Sequence, residues 1–339
     1  MSVASRNFRR RSPVELSSLF LGQPLWMWAV FLTLVLGLLA LDLGVLNRGQ
    51  QEIGVRKSLL LSGFYITIGL GFGGFVWAQM GAGPAVEYWT GFVVEKSLAM
   101  DNIFVIATIF GAFAVPRHLQ HRVLFWGILG VIVLRALMIG FGAALVQRYD
   151  WVLLVFAAFL ILTGGRMLLS RDDHGSGMAD SRVLRWMRRN LRVTDDFVGH
   201  RFFVRQPGAS GRMRLFVTPL FLALVAIEFA DVVFAVDSVP AIFAITTDPY
   251  LVYTSNIFAI LGLRALYFAL AAVLHRFSGL KPALAVLLIF IGGKVVVAEA
   301  LGIEKVPAAL SLGATFAILA AGVAVSLIRT APRPGEVRQ

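Results

Sequence analysis

Nine stretches of this chain are each about 20 residues or longer and almost wholly apolar, and runs of that length leave few folds open. In hydrocarbon every backbone N–H and C=O must find its partner within the protein, so only helices and closed barrels span a bilayer, and about 20 residues is the helical length. The stretches cover 25–46, 58–80, 88–114, 121–146, 150–170, 215–245, 251–274, 282–301 and 306–328. Of 339 residues 58% are hydrophobic and 15% charged, against roughly 25% charged in soluble domains. The expectation is an all-α polytopic membrane protein with about nine transmembrane helices, whose first partner is the lipid bilayer. The third and sixth runs exceed a straight span and are expected to be tilted or broken near their acids, with Pro240 and the Gly292-Gly293 pair as break points.

The net charge of +12 does not point to nucleic acid, because the basic residues sit between apolar runs rather than in one stripe with interleaved aromatics. The chain has no cysteine, which excludes disulfides, thiolate metal sites and thiol chemistry. Arg9, Arg10 and Arg11 before the first run resemble a twin-arginine leader, but the run is too long and no small-residue cleavage site follows, so it reads as a retained helix. Residues 1–24 then form a basic N-terminal segment, 25–328 the transmembrane domain and 329–339 a tail.

Cytoplasmic loops carry the excess of Lys and Arg. Alternate loops group Arg48, Arg56, Lys57, Arg117, Arg122, Arg276, Lys281, the segment 171–214 and the tail on one side, and little besides Arg148 and Lys305 on the other. That predicts a multi-pass protein with the N-terminus outside and the C-terminus cytoplasmic. The arginines at positions 6 to 11 oppose this arrangement, unless the first segment does not fully span. In the 171–214 connection, Val183, Leu184, Met187 and Leu191 at helical spacing among arginines predict a basic amphipathic helix on anionic lipid, followed by a hairpin around Pro207 and Gly208.

Acids lie inside the spans. Glu95 and Asp101 occupy one run and Glu228, Asp231 and Asp237 another, where a buried carboxylate costs at least a few kcal/mol without a partner, a cavity or a substrate. The two runs resemble each other: EKSLAMDNIFVI at 95–106 parallels DVVFAVDSVPAI at 231–242. LRAL recurs at 134–137 and 263–266, and Gly164-Gly165-Arg166 matches Gly292-Gly293-Lys294. Three landmarks in one order indicate a duplication of spans 3–5 as spans 6–8. An odd number of helices per copy makes it an inverted repeat, as in transporters that alternate access around a midplane site.

On a regular helix Glu228 and Asp231 share a face, whereas Asp237 lies about 120° around and about 9 Å along from Asp231. Convergence of the acids therefore needs either an unwound section or ligands from both repeats, with Asp101 and Asp237 opposed and Asn102 and Ser238 adding neutral oxygens. Arg166 and Lys294 lie near helix ends and Lys96 has a long stem, which leaves Arg135 and Arg264 as deep ion-pair partners and the acids in excess. A divalent cation or protons would fill the deficit. Carboxylate, amide and hydroxyl oxygens suit hard ions such as Mg²⁺, Ca²⁺ and Mn²⁺. The five histidines, His118, His121, His174, His200 and His275, all fall in or beside loops. Met100 either adds a thioether ligand or simply packs, and Asp42 either pairs with Arg48 or reaches the pathway. No nucleophile constellation joins the acids, so an enzyme is not expected.

The segments EKSLAMDNIFVI, EFADVVFAVDSVPAIFAITTDP, TSNIFAILGLRALYF, ALDLGVLNR and RWMRRNLRVTD resemble the TerC family of integral membrane proteins, close to its pH-inducible, Alx-type bacterial members. The likeness spans about residues 25–328. It implies Mn²⁺ efflux across the bacterial cytoplasmic (inner) membrane with Glu95, Asp101, Glu228, Asp231 and Asp237 as the functional acids. The expectation is then an exporter without a prosthetic group, driven by protons or by the membrane potential. It also implies two alternatives: a scaffold supplying Mn²⁺ to exported or membrane enzymes, and export of another substrate linked to tellurium resistance.

Overall fold

The computed structural model describes residues 19–44, 55–149, 151–169, 186–187, 189–207, 212–270, 280–302 and 307–330, the side chains of 43, 44, 55, 101, 104, 270, 280, 281 and 327–330 excepted. The spans expected from hydropathy are helices: α1 (Leu25–Gly44), α2 (Val55–Met80), α3 (Ala82–Ala112), α4 (Arg117–Arg148) and α5 (Trp151–Leu169). After the central connection come α6 (Pro219–Phe243), α7 (Pro249–Ile260), α8 (Leu263–Leu270), α9 (Leu280–Ala300) and α10 (Ala308–Thr330). Among the described residues, eight spans are long and apolar enough to cross a membrane, α7 and α8 together forming one of them. Helix α3 is long enough too, but carries Glu87, Glu95, Lys96 and Asp101.

Prolines and polar caps set several boundaries. Asp248 accepts a hydrogen bond from the Tyr250 amide at 2.8 Å and Pro249 opens α7, a residue pair suited to starting a helix. Pro219 likewise opens α6.

The breaks are not where the sequence led us to expect them. Helix α3 is continuous past its acids, α6 runs through Pro240, and α9 runs through Gly292-Gly293. Pro240 lies three residues from the end of α6, where little helix remains to be disrupted. The interruption falls in the seventh span, at Leu261 and Gly262, where Gly262 has φ +81° and the Tyr65 ring occupies the space a Cβ would need. Lys96 holds the break open by donating to the carbonyls of Ala259 at 2.9 Å and Leu261 at 3.3 Å, the backbone oxygens freed at the end of α7.

The paired glycines have another use. On α5, Gly164 packs against Ala285 and Ile289 of α9, while Gly292 of α9 packs against Ala157, Leu160 and Ile161 of α5. The two antiparallel helices touch through equivalent positions, backbone against backbone. Buried clusters fill the rest. One joins the inner parts of α3, α4, α6 and α8 to Met187, and a second packs α1 and α2 against α3 and α7.

Helix α1 runs beside α7 and α8 along their length: Gln23 just before it bonds to Asp248, and Asp42 near its end reaches Arg264. It is long and apolar enough to cross a membrane. Residues 1–18, including those arginines, lie outside the described residues, as do 170–185 and 331–339. Trp186 and Met187 are helical, Met187 buried in the core and Trp186 exposed. The expected hairpin is present as β1 (Phe203–Pro207) paired antiparallel with β2 (Met213–Val217).

The glycine contact gives a direct test. Gly164→Ala and Gly292→Ala drive a Cβ into a backbone carbonyl and should each destabilise by about 1–3 kcal/mol. Gly165→Ala and Gly293→Ala, which face open space, should not. Thermal melting of the purified protein reads the difference.

Candidate functional site

The site is built around one guanidinium. Arg135 of α4 is 1% exposed, and a charge so deep persists only when paired and hydrogen-bonded. Its Nε and Nη2 donate to Asp231 Oδ2 and Oδ1, both at 3.2 Å, in the planar fork that suits Arg to carboxylates. Its Nη1 donates to Glu95 Oε1, to Ser238 Oγ at 2.7 Å and to Asn256 Oδ1 at 3.4 Å. Four helices, α3, α4, α6 and α7, are thereby tied to one side chain.

Helix periodicity explains who meets whom. Asp231 and Ser238 are seven residues apart, close to two full turns, so both point at Arg135. Glu95 and Asn102 have the same spacing on α3. Asp237 is turned about 120° from Asp231 and faces elsewhere, into a cavity of about 340 Å³ beside the arginine. Asn102, Arg135, Thr163, Arg166, Asp237 and Ser238 supply its polar lining, with leucine and phenylalanine closing it.

One positive charge therefore serves two carboxylates, and polar atoms around it are left over. Glu95 Oε2 and Asn256 Nδ2 are buried without a hydrogen-bond partner among the described residues. So is Oε2 of Glu228, one turn before Asp231. The Glu228 carboxyl lies against α4 at Gly127 and Gly130, where a Cβ on Gly130 would fall on the carboxylate itself. The five acids are thus not gathered into one cage: Glu95 and Asp231 grip Arg135, Glu228 is pressed onto α4, and Asp237 lines the cavity. Asp101 sits next to Asn102 on α3, its side chain outside the described residues, so its opposition to Asp237 is not described. Among the described residues no group of three His, Asp or Glu side chains is placed to hold a metal ion together.

Two expected partners are placed differently. Arg264 donates from Nη2 to Asp42 Oδ1 at 2.5 Å, and Tyr65 Oη donates to the same oxygen at 3.3 Å. Asp42 is thus held by Arg264 and Tyr65, while Arg48 lies outside the described residues. Arg264, which follows the break at Gly262, is bound to Asp42 of α1. Met100 packs with the apolar cluster of α3, α4 and α6 and does not line the cavity.

Asn256 was not singled out from the sequence, although a signal was there. Thr254, Ser255 and Asn256 are three consecutive polar residues in a span, all buried. The two hydroxyls bond back to Tyr250 and Leu251 carbonyls one turn earlier, which leaves only the Asn256 amide to reach across. A second cavity of about 340 Å³ lies at the other end of the bundle, with Glu87, Thr90, Thr246, Lys294, Glu299 and Ser311 among its lining residues. Lys294 Nζ donates to Ser311 Oγ there at 3.0 Å. Lys294, which follows Gly292-Gly293 as Arg166 follows Gly164-Gly165, lines this cavity, and Arg166 lines the one beside Arg135.

A family model described as "Integral membrane protein TerC family" matches residues 80–333. A curated protein of Escherichia coli K12, "Putative membrane-bound redox modulator Alx", is 45% identical over 307 residues, covering 88% of this chain and 92% of its own. An "Uncharacterized membrane protein STKORF319" of Myxococcus xanthus is 42% identical over 308 residues, 91% of this chain and 94% of its own. An "Uncharacterized membrane protein" of Rickettsia bellii is 45% identical over 302 residues, 89% of this chain and 97% of its own. No solved structure matches the chain.

Arg135→Met strands two buried carboxylates and should cost about 3–5 kcal/mol, read as a lowered melting temperature. Adding Glu95→Gln and Asp231→Asn to that variant should recover part of the loss, since the stranded charges are then gone.

Proposed function

The chain belongs to the TerC family of integral membrane proteins, and on that premise we propose that it exports a divalent cation, Mn²⁺, across the bacterial cytoplasmic membrane. The observation that carries this reading is the cavity beside Arg135, which brings Asp237, Asn102, Ser238 and Thr163 to a space next to two carboxylates that share one arginine. Carboxylate, amide and hydroxyl oxygens are donors for hard cations. The described histidines stand apart from the cavity and the chain has no cysteine, which leaves the Met167 thioether as the one soft donor among its lining residues.

In the proposed cycle the cation enters the cavity against Asp237, and Asp101 on the neighbouring helix completes the shell. Glu95 and Asp231 trade Arg135 for the ion as it moves past, and protons compete for the same carboxylates. The repeat supplies the geometry of alternation. Equivalent positions of α5 and α9 meet at Gly164 and Gly292, and the counterparts Arg166 and Lys294 line cavities toward opposite ends, as expected for two inverted copies that exchange roles. The basic end carrying the β1–β2 hairpin is assigned to the cytoplasm by the positive-inside rule, which puts the N-terminus outside. This makes the protein a transporter and not an enzyme.

The Escherichia coli relative's name speaks of redox modulation. Thiol exchange has no residue here, since cysteine is absent. Control of manganese, itself redox-active, would reach redox balance indirectly.

Cells carrying Asp237→Asn or Asp101→Asn at wild-type protein levels should accumulate manganese under manganese load, and unchanged efflux would sink the assignment. Purified protein in liposomes should move Mn²⁺ unaided. If it binds the ion without flux, the chain is a scaffold that hands manganese to other membrane or exported proteins.

A further inference from the structure

The segment between the two repeats closes the basic end of the bundle and leaves a surface of its own uncovered. In the β1–β2 register Phe203 is opposite Val217, Arg205 opposite Leu215 and Pro207 opposite Met213. Directly opposed residues of an antiparallel ladder share a face. On the other face Val204 is buried beside Phe216. The first face shows the solvent side an apolar strip in which Phe203 is 49% exposed, Leu215 60% and Met213 65%. Arg205 sits within the strip and Arg212 is exposed at its edge, while Arg214, opposite Gln206, is exposed from the other face.

That strip has a fixed height. Only Thr218 separates β2 from Pro219, the first residue of α6, and its hydroxyl donates to the carbonyls of Arg201 at 2.8 Å and Phe202 at 3.3 Å. The hydroxyl that would normally cap the helix is turned to the base of the hairpin, and α6 starts without a side-chain cap. The Phe203 ring lies 4.6 Å from Phe221 in the first turn of α6, so the apolar strip continues the surface of a transmembrane helix where that helix begins. Strands of five residues extend it by about 16 Å.

Charge selects the occupant. Arg189, Arg192, Arg201, Arg205, Arg212 and Arg214 are all exposed in this segment, against the acids Asp195 and Asp196. Exposed Trp186 adds an interfacial aromatic to the same end. Apolar side chains level with a helix entry, ringed by arginine, match the boundary between acyl chains and anionic headgroups.

We propose that the β1–β2 hairpin docks on the leaflet beneath it, with Phe203, Met213 and Leu215 entering the acyl boundary and Arg205 and Arg212 binding the phosphates of anionic lipids. Through Thr218 the docked hairpin fixes the end of α6, the helix that carries Glu228, Asp231 and Asp237.

The absence of cysteine makes the test clean. Met213→Cys and Leu215→Cys, each labelled with an environment-sensitive fluorophore, are placed in nanodiscs of phosphatidylcholine alone or of equal parts phosphatidylcholine and phosphatidylglycerol. Docking predicts blue-shifted emission in the anionic discs, quenched by a nitroxide at a shallow lipid position, and a return to the aqueous spectrum with Arg205→Glu and Arg212→Glu together. Melting should rise in anionic discs for the unmodified protein and not for the double variant. Emission that is aqueous in both discs overturns the proposal and leaves the strip to an acidic protein partner. Equal burial in both discs overturns the role given to the arginines.

Discussion

The structure depends on keeping one guanidinium in the middle of an apolar bundle. Arg135 alone would be intolerable there, as would Glu95 or Asp231 alone, and the three persist because each removes the others' cost. The pairing fixes the mutual rotation of α3, α4, α6 and α7, since Glu95, Asp231, Ser238 and Asn256 must all point at the same atoms. It also explains why Asp237 is where it is. With its helix rotated to give Asp231 and Ser238 to Arg135, Asp237 must face the neighbouring cavity.

The two LRAL segments are used unequally. Arg135 and Arg264 occupy matching positions in LRAL, yet one lies in an unbroken helix and holds two acids, while the other follows the break at Gly262 and is bound to Asp42 on α1. Lys96, next to Glu95, stabilises that asymmetry by capping the carbonyls exposed at the break.

Much of this was legible in the sequence, for identifiable reasons. Span limits followed from hydropathy because length and composition dominate in a bilayer, and the rotation of Asp237 away from Asp231 followed from helix geometry. Three things did not follow. The break at Gly262 depends on Tyr65 and Lys96, residues far away in sequence, while the glycines and proline that suggested breaks serve close packing or sit near a helix end. Arg264's choice of Asp42 depends on where α1 lies, which no motif encodes. Asn256 was hidden because a polar residue in a span shows its role only when its neighbours' hydrogen bonds are known.

Anomalous scattering from a crystal soaked in Mn²⁺ tests the central claim most directly. The account predicts a manganese peak in the cavity lined by Asn102, Asp237 and Ser238, within coordination distance of the Asp237 carboxylate. A peak elsewhere in the bundle, or a soaked crystal with no peak there under conditions where the protein binds the ion, would contradict it.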